Sequence, residues 1–324
     1  MIRIATRNSA LAKAQASQVA ALLGGAELIE VSSDGEMGDK GRFVRGVEAA
    51  LLEGKADIGV HSAKDVPAEM PEGLVIAGVP RREDPADVWI GDMAPLLDIS
   101  QQRSDGASLD DVPEGARVGT ASLRRRAQLL AARPDLQVGE LHGNVDTRLR
   151  RLGEGEFDAI VLAAAGLKRL GRENEASFAL PAETMTPAAG QGALVLQARE
   201  DDSKAIGAAA AIGDETALRE LTAERAVVAL LDATCSTPIG VHARVADPGP
   251  EGVGPDPAQT EAGEGADSRA LVLDAFVGLP DGSEWIRDRV EGDAAEPAAA
   301  GALLAERLLG AGARDVLDRA EALA

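Results

Sequence analysis

Short apolar runs alternate with amphipathic stretches through most of the chain, the pattern of βαβ units on a largely parallel sheet. The pattern predicts a strand over 2–5, an Ala-rich helix over 9–23 ended by Gly24-Gly25, and a strand over 27–31. A helix over 43–53 stops at Gly54, and a strand follows over 74–79. A second unit starts near Asp92. It has a strand end at Arg117-Val118-Gly119, a helix over 123–133 stopped before Pro134, and a strand over 137–141. A helix over 145–153 and a buried strand over 159–165 complete it. Residues 185–197 return as a loop and a strand able to cross back to the first unit. Two α/β units with crossing connections predict a hinged pair with a cleft between them. From 215 the pattern changes to a long helix over 215–231, strands over 239–245 and 271–277, and a helix over 298–309. That is a smaller α+β domain. The expected domains are 1–80 with 193–210, then 91–186, then 215–324. Residues 247–268 hold five Gly, four Pro, six acids and no base. They read as a solvated loop without a role in chemistry.

Composition narrows the function classes. A chain of 324 residues has room for two or three cores, and with aromatics at 2% these must be built from Ala, Val, Leu and Ile. A formal charge of −21 argues against non-specific binding to nucleic acid or to an anionic membrane. No apolar segment of signal-peptide length follows Met1, and no run has transmembrane length. Cys235 is the single cysteine, so no intrachain disulfide forms. Cytoplasm is the expected address. The bases divide into 27 Arg and 6 Lys. Few lysines under an acidic excess resemble proteins of a high-salt cytoplasm; a GC-rich genome favours the same composition, and both readings stay open. His61, His142 and His242 do not fall at metal-ligand spacing, and one cysteine cannot complete a zinc site, so no metal is expected.

Candidate chemistry begins at Asp65, in Val60-His61-Ser62-Ala63-Lys64-Asp65-Val66-Pro67. The apolar run before it reads as a strand end, and ligands of open α/β sheets gather beyond strand carboxyl ends. Taken alone, the Lys64–Asp65 pair fits equally well a turn with a solvated ion pair. The basic residues change the balance. Residues 117–151 contain eight Arg and three acids inside a strongly acidic chain. Arg124 and Arg125 follow Thr120 and Ser122 at a helix start, Arg148 follows a second strand-to-helix junction, Arg7 precedes Ser9, and Lys168-Arg169 follow another strand. Helix N-termini and Arg forks both favour anions. Surface helices carry Arg for solubility, but that does not explain why each follows a strand end. The pattern predicts a cleft for a multiply anionic ligand, carboxylates rather than nucleic acid, since few aromatics offer a stacking platform.

These phrases in order resemble the porphobilinogen deaminase (hydroxymethylbilane synthase) family almost end to end. They include Arg3-Ile4-Ala5-Thr6-Arg7-Asn8-Ser9, Lys40-Gly41-Arg42-Phe43-Val44, the Asp65 segment, and Arg82-Glu83-Asp84-Pro85. Val118-Gly119-Thr120-Ala121-Ser122-Leu123-Arg124-Arg125, Gly143-Asn144-Val145-Asp146-Thr147-Arg148-Leu149 and Ala164-Ala165-Gly166-Leu167-Lys168-Arg169 follow. Gly190-Gln191-Gly192-Ala193, Glu224-Arg225 and Cys235-Ser236-Thr237-Pro238-Ile239-Gly240 close the series. The resemblance implies a monomeric, three-domain cytoplasmic enzyme. Its first two domains are periplasmic-binding-protein-like and doubly wound, and its third is a small α+β domain with a cysteine loop. The family joins four porphobilinogen molecules head to tail, releasing ammonia, to make linear hydroxymethylbilane for tetrapyrrole (porphyrin, haem) biosynthesis. Its cofactor is one dipyrromethane per chain, bound to the cysteine as a thioether.

The resemblance implies roles for residues of this chain. Asp65 matches the catalytic aspartate, and Cys235 the attachment site. Lys64, Ser62, Thr120, Ser122, Arg124, Arg125 and Asp65 would hold the cofactor. Arg7, Ser9, Arg148, Arg169, Phe43 and His142 would meet substrate. A lone cysteine is otherwise commonly a small buried hydrophobe, and Phe43 also reads as plain core. Four departures stand out. His142 replaces the usual arginine as a shorter contact, Ala233-Thr234 replace a Gly-Gly, the loop before Lys40 is shortened, and Glu36 stands where lysine is usual. The rival reading is a non-catalytic binding protein for a small dianion on the same hinged fold. That reading needs the Arg cluster but neither Asp65 nor Cys235.

Overall fold

The computed structural model describes residues 1–32, 44–91, 107–234, 237–246 and 269–323. Phe43, Lys40, Glu36, Cys235 and the acidic segment 247–268 lie outside the described residues.

In chain order the first elements are β1 (Ile2–Arg7), α1 (Ala10–Leu22), β2 (Ala26–Val31), α2 (Arg45–Leu52), β3 (Ile58–Ser62) and β4 (Leu74–Gly78). A single tight turn of helix, Ala63–Asp65, follows β3. Next come β5 (Asp87–Gly91), β6 (Arg117–Gly119), α3 (Leu123–Ala132), β7 (Gln137–Gly139), α4 (Val145–Gly153), β8 (Ala159–Ala163), α5 (Ala164–Arg169) and β9 (Phe178–Leu180). The chain then runs through β10 (Leu194–Arg199), α6 (Ser203–Ala211) and α7 (Glu215–Leu230). It ends with β11 (Ile239–Val245), β12 (Ala270–Gly278), β13 (Trp285–Asp293), α8 (Pro297–Gly310) and α9 (Ala313–Ala322).

Three sheets result, in the orders β2-β1-β3-β10-β4, β7-β6-β8-β5-β9 and β11-β12-β13. In the first two, the strand that arrives from the other unit runs antiparallel to its neighbours: β10 beside β3 and β4, and β5 beside β8 and β9. The remaining pairs in those sheets are parallel. The chain therefore crosses twice between two α/β lobes, and residues 185–197 return to the first sheet as their pattern predicts. The second sheet begins earlier than Asp92, because β5 already belongs to it. The strand expected over 159–165 ends at Ala163, where the backbone turns into α5. Five charged residues hid β13, whose outward positions are solvated while Val290 reaches the core.

Each lobe has an aliphatic core, as the scarcity of aromatics requires. Ile4, Ile58, Leu194 and Leu196 centre one, and Leu129, Val118 and Val161 centre another. The third sheet is covered on one face by α7, α8 and α9 through Val227, Leu304, Leu308 and Val316. The two crossings touch at Glu83 and Gly192, whose backbones bond at 3.3 Å. Gly190 and Gly192 take φ of 73° and 88° there. A Cβ at Gly192 would lie 2.2 Å from the Glu83 carbonyl oxygen, and one at Gly190 2.8 Å from Ala63. Only glycine allows both the conformation and the approach.

Candidate functional site

Parallel pairing sends β1 and β3 out of the first sheet at the same edge, and β6, β7 and β8 out of the second at theirs. The predicted site residues follow these strand ends. Ser9 caps α1, its hydroxyl accepting from Ala12 N at 3.3 Å. Ser122 caps α3, accepting from Arg125 N at 3.4 Å, and Thr120 accepts from Ser122 N at 3.2 Å. Ser62 accepts from Gln15 Nε2 at 2.8 Å. These hydroxyls thus have structural duties at helix starts and strand ends, beside any contact with a ligand.

Lys64 and Asp65 occupy the turn after β3. Lys64 is exposed to solvent, although many protein atoms surround it. That crowding, and then the charge of Arg125, lowers its ammonium to about 8. Burial pushes the Asp65 carboxyl above its ordinary value, with Lys64 and Arg7 pulling the other way. Desolvation outweighs the two cations.

Arg124 and Arg125 are differently placed from a pair of exposed ligand forks. Both are buried, at 4% and 5% exposure, and both pair with Asp87 at 2.7 Å. Arg125 also donates to the Val161 carbonyl at 2.9 Å, and Arg124 to that of Thr186 at 2.8 Å. Burial pushes Asp87 upward, but the two guanidiniums outweigh it and hold the carboxyl well below the usual range. Gln191 joins this cluster to Lys64. Its Nε2 donates to Asp87 Oδ1 at 2.9 Å, and its Oε1 accepts from Lys64 Nζ at 3.3 Å.

Arg148 gives Nε to the Gly143 carbonyl at 2.8 Å, and burial with the Arg125 charge lowers its guanidinium to about 10. Arg169 gives Nη2 to the Gly192 carbonyl at 2.7 Å, and its Nε is buried without a partner. Charge interactions thus link Asp65 with Lys64 and Arg7, Lys64 with Arg124 and Arg125, and Arg125 with Arg148, while Arg169 bonds the crossing at Gly192. His142 stands apart. It is 74% exposed and pairs with Glu140 at 3.2 Å.

Two residues of this site carried no role in the sequence. Asp87 opens an apolar strand, where a buried acid demands a cationic partner. Gln191 lies between two glycines that the fold needs, so its side chain was overshadowed by its neighbours.

Fold and site together define a hinged, two-lobed α/β protein with a third domain, holding a cluster of cations with one raised carboxyl among them. Residues 2–207 match the family model "Porphobilinogen deaminase, dipyromethane cofactor binding domain", and residues 218–310 match "Porphobilinogen deaminase, C-terminal domain". A porphobilinogen deaminase of Brevibacillus brevis is 39% identical, aligned over 97% of this chain and 96% of its own. That of Thiobacillus denitrificans is 40% identical over 98% of each. The chain belongs to the porphobilinogen deaminase family. An amino acid ABC transporter substrate-binding protein from Streptococcus pneumoniae aligns with 65% of this chain and 85% of its own, at 15% identity and a TM-score of 0.38, too loosely to add to the argument.

Proposed function

We propose that this chain makes hydroxymethylbilane by joining four porphobilinogen molecules head to tail with release of ammonia, and that Asp65 is its catalytic carboxylate. The observation that carries the assignment is the family match over residues 2–207 and 218–310, with Asp65 in the turn after β3 beside Lys64 and within reach of the charge of Arg7. Each pyrrole brings an acetate and a propionate. Lys64, Arg148 and Arg169 suit those groups, with Arg7 at the first strand exit. Loss of ammonia from porphobilinogen leaves a cationic azafulvene. A fixed, poorly solvated carboxylate lowers the energy of that cation more than water does. The same carboxyl can take and return a proton between the leaving amine and the ring. Lys64 and Arg7 favour its ionised form against the burial that raises it.

The residues present fit a dipyrromethane. Its carboxylates would find the buried, unpartnered Nε of Arg169 and the cleft ammonium of Lys64. When bound, the group supplies the pyrrole carbon to which the first substrate adds. Ser62, Thr120 and Ser122 would flank it from the strand ends, Arg124 and Arg125, already paired with Asp87, would add positive potential, and Cys235 would be its attachment point. Ser9 and Phe43 would meet substrate, and His142 would do so only by leaving Glu140. A monomer in the cytoplasm accords with the reading.

The test combines mass and turnover. The intact protein should be heavier than its sequence by two linked pyrrole units, even after denaturation in thiol, because a thioether resists reduction. Proteolysis should place that mass on the peptide holding Cys235, and Cys235→Ser should lack it. Asp65→Asn should fold, carry the adduct and lose at least about a hundredfold in turnover. A bare wild-type chain that acquires no adduct from porphobilinogen would put the dianion-binding protein ahead.

A further inference from the structure

The motif Glu224-Arg225 has no part in the chemistry above, yet α7 uses it to reach two places at once. Successive residues of a helix point about 100° apart, so the pair faces two ways. Glu224 faces the hinge and is fully buried. It accepts from Arg82 at 2.8 and 3.2 Å, from Gly190 N at 2.6 Å and from Ala243 N at 2.8 Å. Arg82 and Gly190 belong to the two crossings between the lobes, and Ala243 to the third sheet. Arg225 faces the segment after Asp65. Its Nη1 donates to the Val66 carbonyl at 3.2 Å, and its Nη2 to those of Pro67 and Ala68 at 2.7 and 2.9 Å.

Those three carbonyls come directly after Asp65, in a segment that belongs to no helix and no strand. Pro67 has no N–H with which to join a sheet. Carbonyls outside regular structure need donors from elsewhere, and here one guanidinium supplies three. The charges that act on Asp65 are those of Lys64 and Arg7, and Arg225 is not among them. Its reach to the carboxylate is through the backbone.

We infer that Arg225 is a positioning residue, holding the turn that carries Lys64 and Asp65 at a fixed place relative to the hinge and the third domain. This rests on the assignment of Asp65 above. One rigid helix thus gives the carboxylate's turn and the hinge a common reference. Lengthening of a chain in the cleft demands such a reference, since the reacting ends must meet Asp65 in the same geometry at each addition.

The test uses the loaded enzyme with Arg225→Gln and Arg225→Lys. Arg225→Gln should keep the adduct mass, lower kcat at least about tenfold and leave KM within about twofold, because the carboxylate-binding arginines lie elsewhere. Arg225→Lys, with one charged donor head, should recover part of kcat. Loosening the turn lets water reach Asp65, so the acid limb of kcat should move to lower pH in Arg225→Gln. Arg244→Gln removes an ion pair to Asp274 in the third sheet and serves as control, with kcat within about twofold of wild type. The inference is overturned if Arg225→Gln keeps kcat within twofold, loses the adduct, or loses activity with neither a shifted limb nor recovery in the lysine variant. An inactive Asp65→Asn beside a normal Arg225→Gln would remove this inference alone. An active Asp65→Asn would instead remove the assignment on which it stands.

Discussion

His61 should make the fold acid-sensitive in a window that no surface group explains. It is 5% exposed, behind the turn that carries Asp65. Its Nε2 lies 3.0 Å from Gln197 Oε1, and Gln197 Nε2 donates to Glu48 Oε1 at 3.2 Å. The amide orientation leaves Gln197 an acceptor toward His61, so the ring carries a proton on Nε2. Burial, reinforced by the charge of Arg7, lowers the imidazole to about 4. The unfolded chain takes up the proton near its ordinary value of about 6.5. Between those values the unfolded state binds more protons, so stability falls as pH falls. A gap of roughly two and a half units corresponds to about 3 kcal/mol lost by pH 4. That is a large part of a typical stability of about 5–15 kcal/mol. The perturbation is His61→Gln, which keeps a donor toward Gln197 and cannot titrate. Urea midpoints should be measured for both proteins from pH 7.5 down to pH 4. The variant should run parallel to wild type near neutrality and fall less steeply below about pH 6.5, so that by pH 4 it has gained about 3 kcal/mol relative to wild type. Parallel curves across the whole range would refute a neutral buried His61.

Asp87→Asn should lower stability by about 3–5 kcal/mol, because two buried guanidiniums lose their shared counter-charge; chemical denaturation reads the loss, and a cost under about 1 kcal/mol would mean that water already compensates them. Lys64 is lowered to about 8, so the cleft loses a positive charge as pH rises through that value. KM for porphobilinogen should climb above pH 8, and Lys64→Arg should hold it level to higher pH; steady-state kinetics in both proteins decides.

Much of the fold was legible because local and tertiary signals agree in it. The helix over 145–153 and the strand over 239–245 coincide with α4 and β11. Where they differ, a tertiary cause is visible. β5 and β9 are short or lie next to segments without a pattern, and they become strands only by pairing with β8 and with each other. β13 is too charged to read as a strand, and its pairing with β12 supplies what its periodicity lacks. At the site, residue types at strand ends told where cations gather but not how each is used. Arg124 and Arg125 look like ligand forks in the sequence. Their partner Asp87 is 38 residues away from Arg125, a pairing no local pattern can show. The same holds for Arg225 and the carbonyls after Asp65.

The cleft's electrostatics follow from this division of labour. A site for a growing polycarboxylate needs several cations close together, and such a cluster repels itself when empty. Asp87 answers that cost for the two most buried guanidiniums, and its carboxyl is held ionised by them in return. Among the described residues Lys64 has no carboxylate bond of this kind; it bonds Gln191, and burial followed by the charge of Arg125 loosens its proton. Arg148 and Arg169 each give one donor to a backbone carbonyl, which orients the fork without neutralising it. The arginines compensated internally set the shape of the lobe, and those held only by carbonyls keep their charge for the ligand. On the proposed assignment, an anion entering the cleft gains most from Lys64, Arg148 and Arg169. Loading the cleft should stabilise the protein through those three, while Asp87 and its pair remain as they are.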